Sequence, residues 1–186
     1  LPFAGSHADS IWVSLDGYGE YHEEIRGKGT FARLEKNIAE CGHKHLSVNM
    51  VVNKYNYTSV EQTIRYVKEN PAIESISINF YTPFPGAENL MVTREQRIEV
   101  IDKVIRMKKE GYPIMNSVSG LKLMKHNRFR RHCWVTNFVY ADHTHANCAG
   151  EQLGICDDCG LCMAGEMNAV FNFRPDTVFA GLKLSL

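Results

Sequence analysis

The residues best equipped for chemistry are six cysteines, and they are spread very unevenly along 186 residues. Cys41 stands alone, whereas Cys133, Cys148, Cys156, Cys159 and Cys162 fall within one short stretch. In a reducing compartment such a cluster reads as metal binding sooner than as disulfides. Cys156, Cys159 and Cys162 make a C-x2-C-x2-C run, a spacing that lets one loop wrap three corners of an iron–sulfur cubane. Cys148 or Cys133 would supply the fourth thiolate. Zinc is the rival, held by four thiolates or with His143 and His145 as nitrogen ligands. Asp142-His143-Thr144-His145 also reads as a solvated loop or as a substrate-facing segment. Three closely spaced thiols fit a cubane better than they fit the paired C-x2-C of a zinc ribbon. The expectation is therefore a 4Fe–4S cluster on Cys156, Cys159 and Cys162 with Cys133 or Cys148 as the fourth ligand, and zinc or free thiols as alternatives. Cys41, at a helix end, reads as a packed core residue.

A second set of chemical groups lies on strands. Residues 10–15, 46–52 and 75–81 are β-rich runs with alternating faces. Ile11, Val13 and Leu15 oppose Trp12, Ser14 and Asp16. Leu46, Val48, Met50 and Val52 oppose Ser47, Asn49, Val51 and Asn53, while Ile76, Ile78 and Phe80 oppose Ser77, Asn79 and Tyr81. Parallel strands buried on both faces are apolar throughout, so these polar faces need another explanation. If they point inward, Ser14, Asn49 and Asn79 share one interior, and a buried unpartnered amide or hydroxyl costs roughly 1–3 kcal/mol. A polar ligand would offset that cost. The alternative is a one-sided sheet whose polar face is wet.

The elements that must hold these groups alternate. Helical spacing over residues 30–41 stops at Gly42, a second helix spans 59–69 before Pro71, and a third runs from Thr93 to Gly111. Glu95 and Gln96 stand near the position a capping box requires. A fourth strand is expected over 113–118 and a short helix over 120–125. Residues 129–163 lose all regularity, as a metal-organised loop would. A last strand is expected at 169–173, then a short helix in the tail. Strand–helix alternation predicts an α/β fold of parallel strands joined by crossovers. Three or four such units cannot close a full barrel, which needs about 250 residues. Two regions follow: an α/β part over 1–128 and a cysteine-rich extension over 129–186.

Val13-Ser14-Leu15-Asp16-Gly17, then His22, Arg26, Gly27, Gly29 and Phe31, resembles the fourth βα unit of radical S-adenosylmethionine enzymes. Residues 48–53 with Asn56 resemble that family's fifth strand, and residues 76–80 followed by Pro83 and Pro85-Gly86 its sixth. The resemblance covers roughly residues 10–90. It implies the C-terminal half of a (β/α)6 partial TIM-type barrel that binds S-adenosylmethionine for 5′-deoxyadenosyl radical chemistry. Carried over to this chain, Ser14 and Arg26 would hold the methionyl carboxylate, a group that a guanidinium binds through two parallel hydrogen bonds. Asn49 or Asn53 would meet the ribose hydroxyls, Asn79 the adenine, and Asp16 would steady Arg26 or cap the following loop. Arg26 reads otherwise as a surface partner of Glu23 or Glu24. The cysteine-rich tail resembles auxiliary-cluster extensions of the SPASM and twitch types or the tail of hopanoid-adenosylating enzymes, with a spacing that matches SPASM poorly.

One departure limits the resemblance. The family's C-x3-C-x2-C, which carries its catalytic cluster, is absent, since no cysteine precedes Cys41. With Leu1 in place of a starting Met, the reading is a fragment that lacks three N-terminal units and is inactive alone. A non-catalytic α/β module with structural zinc is the alternative, and no G-x-G-x-x-G follows a strand to support a dehydrogenase.

Composition narrows the class. The chain is 44% apolar and 23% charged, with 21 basic and 21 acidic residues, so no excess charge points to nucleic acid or an anionic membrane. No run reaches the roughly 18 apolar residues of a membrane helix. The expected setting is the cytoplasm, with a small-molecule or peptide substrate that the sequence does not identify. An open strand edge is expected to favour self-association.

Overall fold

In the computed structural model, which describes residues 6–83, 85–148, 150 and 153–183, the three expected strands pair in chain order. β1 (Ile11–Ser14), β2 (Leu46–Val52) and β3 (Ser75–Phe80) form one parallel sheet. Ser14 stands level with Asn49, and Val48 with Ile76. Their aliphatic faces are buried almost completely, with Val48, Met50, Val52, Ile76 and Ile78 at 0% exposure. Removing each such side chain from water contributes about 1.5–3 kcal/mol, which fixes the register because a one-residue slip would expose the whole set.

Seven helices occur among the described residues: α1 (Glu20–Arg26), α2 (Thr30–Ala39), α3 (Val60–Glu69), α4 (Arg94–Lys109), α5 (Val118–Met124), α6 (Met163–Phe171) and α7 (Pro175–Lys183). One contiguous core joins the aliphatic strand face to Ile38 of α2, Ile64 of α3, Ile101 of α4 and Leu121 of α5. Helix α4 starts with a capping box on the expected cap Thr93, and of Glu95 and Gln96 it is Gln96 that closes it: Gln96 N donates to Thr93 Oγ1 and Thr93 N donates to Gln96 Oε1. Cys41 is buried behind α2, as a core residue. The chain is thus mixed α/β, and no described helix is long and apolar enough to cross a membrane.

Three elements differ from the sequence reading. The fourth strand shrinks to a single parallel bridge between Ile76 and Ile114. Beyond it, the Asn116 side chain takes the place of backbone, accepting from Ile78 N at 2.7 Å and donating to Ile78 O at 3.0 Å. Residues 169–173 are not a strand, because α6 runs through Phe171 and a turn follows. Ala164, Gly165, Asn168 and Ala169 are buried together, a helical stripe that overrides the local β preference of Ala-Val-Phe. Helix α1 is the third, a charged segment with only His22 buried and hence no apolar period to announce it.

The cysteine-rich stretch is mostly irregular apart from the two-residue ladder of β4 (Phe138–Val139) and β5 (His145–Ala146). It returns to the sheet at the C-terminal end of β3. Phe80 N donates to Gly160 O at 2.8 Å, and Gly160 N donates to Thr82 Oγ1 at 2.9 Å. A Cβ at position 160 would overlap the Phe80 carbonyl, so only glycine permits this approach. The outer edge of β3 is therefore closed in turn by residues 113–115, the Asn116 amide and Gly160. The outer edge of β1 has no strand partner among the described residues.

Candidate functional site

Asp16, 2% exposed, organises the ends of β1 and β2. Helix α1 carries His22 and Arg26 one turn apart, a spacing that puts both on one face, and both meet Asp16. Arg26 Nε donates to Asp16 Oδ2 at 2.7 Å, Asp16 N donates to His22 Nδ1 at 3.1 Å, and Val51 N donates to Asp16 Oδ1 at 2.9 Å. His22 accepts through Nδ1 and is neutral at that atom. Burial pushes its pKa below the ordinary value of 6.5; the charge of Asp16 opposes that shift and Arg26 adds to it. Asn56, fully buried, donates through Nδ2 to Asp16 O and Val51 O and accepts from Asn53 N. Arg26 is 44% exposed in its side chain, and its two Nη groups have no acceptor among the described residues.

The polar strand face is half-buried rather than sealed. Asn79 Nδ2 donates to Asn49 Oδ1 at 2.7 Å, and Ser47 and Ser75 share a hydrogen bond of 2.9 Å. Ser14 is exposed. Asn53 is buried in the turn after β2, where its Oδ1 accepts from Tyr55 N. Of the six residues expected to meet S-adenosylmethionine, Ser14, Asn49 and Asn79 share the polar face. Asp16 and Arg26 are joined at the strand ends, and Asn53 holds a turn.

Asn79 also reaches the cysteine-rich segment, accepting from Cys162 N at 2.9 Å. There the five clustered thiols divide. Cys133, Cys148 and Cys159 line an apolar cavity of about 50 Å³ walled by Val135, Leu161 and Met163. Burial raises the Cys133 pKa, and the neighbouring Cys148, Cys159 and Cys156 raise it further. Cys162 is 1% exposed within the sheet's core, beside Glu166 and Arg97. His143 and His145 are exposed on the β4–β5 hairpin. Among the described residues no three His, Cys, Asp or Glu side chains are placed to hold one metal ion; Cys133, Cys148 and Cys159 border the cavity.

What shapes the loop between Cys156 and Cys159 is a set of donors that sequence reasoning missed. Asn127 Nδ2 donates to Asp157 O at 2.8 Å and to Cys159 O at 2.9 Å, and Arg97 Nη2 donates to Cys159 O at 3.0 Å. Arg131 Nη2 donates to Asn127 O at 3.1 Å and to Cys156 O. The loop carbonyls are thereby drawn to one side, and two guanidinium groups lie close enough to oppose negative charge on the thiols: Arg131 acts on Cys133 and both act on Cys159. Arg97 carried a readable signal, since it lies four residues before Ile101 on the apolar stripe of α4. Asn127, at φ 56°, carried none.

A third cluster anchors the tail. Glu166 takes Ser117 N on Oε1 at 2.9 Å and Ser117 Oγ on Oε2 at 2.5 Å, and the same hydroxyl accepts from Gly120 N and Thr177 Oγ1. Gly120 and Gly165 let α5 and α6 cross closely, since a Cβ on Gly165 would lie 2.6 Å from Gly120 O. No family model, curated protein or solved structure matches the chain.

Proposed function

We propose that this chain is the C-terminal half of a radical S-adenosylmethionine enzyme's partial barrel, with an auxiliary iron–sulfur site in its cysteine-rich segment. The observation that carries the reading is the meeting of His22 and Arg26 on Asp16. The H-x3-R and S-L-D-G motifs that resemble the family are one station in space, and it leaves the outer fork of Arg26 open at the strand ends. Strand order supports the same reading, because neighbours in sequence are neighbours in the sheet and the helices pack on its aliphatic face. A barrel arc has this arrangement. Asp16 steadies Arg26, Arg26 and Ser14 take the methionyl carboxylate, and Asn49 and Asn79 meet ribose and adenine from the polar face. Asn53 positions the turn and makes no contact with the cosubstrate.

Cys133, Cys148, Cys156 and Cys159 would hold the cluster, and Cys162 would stay with the sheet. When bound, a cluster held by four thiolates would supply electron transfer. Arg131 and Arg97 offset its negative charge, and the apolar walls exclude water. The barrel's own C-x3-C-x2-C must come from another part of the enzyme, so this chain alone does not cleave S-adenosylmethionine.

The test is equilibrium titration with S-adenosylmethionine, read by amide chemical shifts. Saturable shifts at residues 14–16, 26, 49 and 79, with affinity falling at least about tenfold in Arg26→Gln, are expected. Absence of saturable shifts at those residues, or equal affinity in Arg26→Gln, would contradict the reading. One observation favours a non-catalytic zinc module instead: Asn79 already donates to Asn49 and accepts from Cys162 N, and Ser47 and Ser75 bond one another.

A further inference from the structure

A cleft of about 370 Å³ opens on the other side of the Cys156–Cys159 loop, between the first turn of α4 and the residues that follow α5. Arg94, Arg97, Lys125, His126 and Arg128 line it. Lys125 is bonded to Asp102, and Arg94 Nη2 is 3.1 Å from His126 Nδ1. Arg94, Arg97 and Arg128 take part in no ion pair among the described residues. Arg97 is the unusual member. It is only 9% exposed, its guanidinium lies over the Phe80 ring at 4.9 Å, and Cys159 O is the acceptor of its Nη2. Buried charges in folded proteins are paired or hydrogen-bonded in full; Asp158 acts on this one from a distance, without an ion pair among the described residues.

The lining is not cationic throughout. Asp157 and Asp158 border the cleft, and so does Asn127, whose buried Oδ1 finds no donor among the described residues. Cations without ion pairs and free acceptors in one cleft define a ligand with two kinds of group. We infer that the cleft binds a small molecule with a phosphate or carboxylate head, held by Arg94, Arg97 and Arg128, and a hydroxyl-bearing body facing Asp157 and Asp158. The volume lies in the range of small-ligand sites. This inference does not rest on the proposed cosubstrate site, which lies on the polar strand face and at the ends of β1 and β2.

The experiment titrates isotope-labelled chain with inorganic phosphate, acetate, glucose 6-phosphate and glucose. Saturable amide shifts at residues 93–97 and 125–128 are expected for phosphate or acetate, and which of the two binds tighter identifies the head group. Glucose 6-phosphate should bind tighter than inorganic phosphate, with the gain removed by Asp157→Asn/Asp158→Asn. Arg94→Gln/Arg128→Gln should weaken the anion at least about tenfold without lowering the melting temperature. Should that double variant fail to fold, the location of the shifts in the unaltered chain decides the matter. Shifts scattered elsewhere, no saturation up to about 10 mM, or equal affinity in a folded double variant would overturn the inference.

Discussion

The sheet and the cysteine-rich segment are ordered by different means. In the sheet, apolar alternation and backbone ladders act together, and every central side chain on the aliphatic face is buried. Any one contact there is replaceable. The cysteine-rich segment has a two-residue ladder and leaves Trp134 63%, Val139 62% and Phe138 42% exposed. It is attached through few points: Gly160 on β3, Cys162 on Asn79 and in the core, the carbonyls drawn to Asn127, Arg97 and Arg131, and Glu166 on Ser117. A region held by so few polar contacts depends on each of them. The thiol cavity at its centre is where a metal would add what the apolar core supplies to the sheet.

Substitutions that separate the two regions sharpen this comparison. The largest effect is expected for Gly160→Ala, which removes the Phe80–Gly160 contact and should cost about 3 kcal/mol. Limited proteolysis should then cut within 129–162 while strands β1 to β3 stay protected; equal loss of both would break the comparison. Ser117→Ala removes the α5 cap and one of the two bonds to the half-buried Glu166 carboxylate. It should lower stability in denaturant titration by about 2 kcal/mol. Asn127→Ala releases two loop carbonyls at about 1–2 kcal/mol. Hydrogen exchange should rise at residues 156–162 and not in β2.

The smallest expected effect belongs to the sheet and depends on pH. Because the folded-state pKa of His22 lies below 6.5, the folded chain binds fewer protons there than the unfolded chain once pH falls past that value. Its contribution to stability is complete above about pH 6.5 and declines in acid. His22→Asn, with an acceptor oxygen for Asp16 N, should flatten the melting temperature between pH 7 and pH 5.5. An unchanged slope would remove His22 from the account.

The same contrast explains what could be read in advance. Strands β1 to β3 and helices α2 to α4 were legible because their apolar periods record one buried face. Asp16, His22 and Arg26 were legible as a motif, but the i,i+4 geometry that joins them was visible only once α1 was known to be a helix. The division of the thiols was not legible. The spacing of Cys156, Cys159 and Cys162 does not show that Cys162 is buried in the sheet's core with its N–H on Asn79, while Cys159 lines the apolar cavity. Asn127 and Arg131 act on backbone carbonyls, and such contacts leave no pattern in side-chain type.

The account turns on whether a metal completes the cysteine-rich segment, and anaerobic reconstitution with iron and sulfide tests this most directly. It predicts about four irons per chain with a thiolate-to-iron absorbance band. That uptake should be lost in Cys133→Ala, Cys148→Ala, Cys156→Ala or Cys159→Ala and kept in Cys162→Ala. Stoichiometric zinc with no iron uptake would contradict the cluster and leave a structural module in its place.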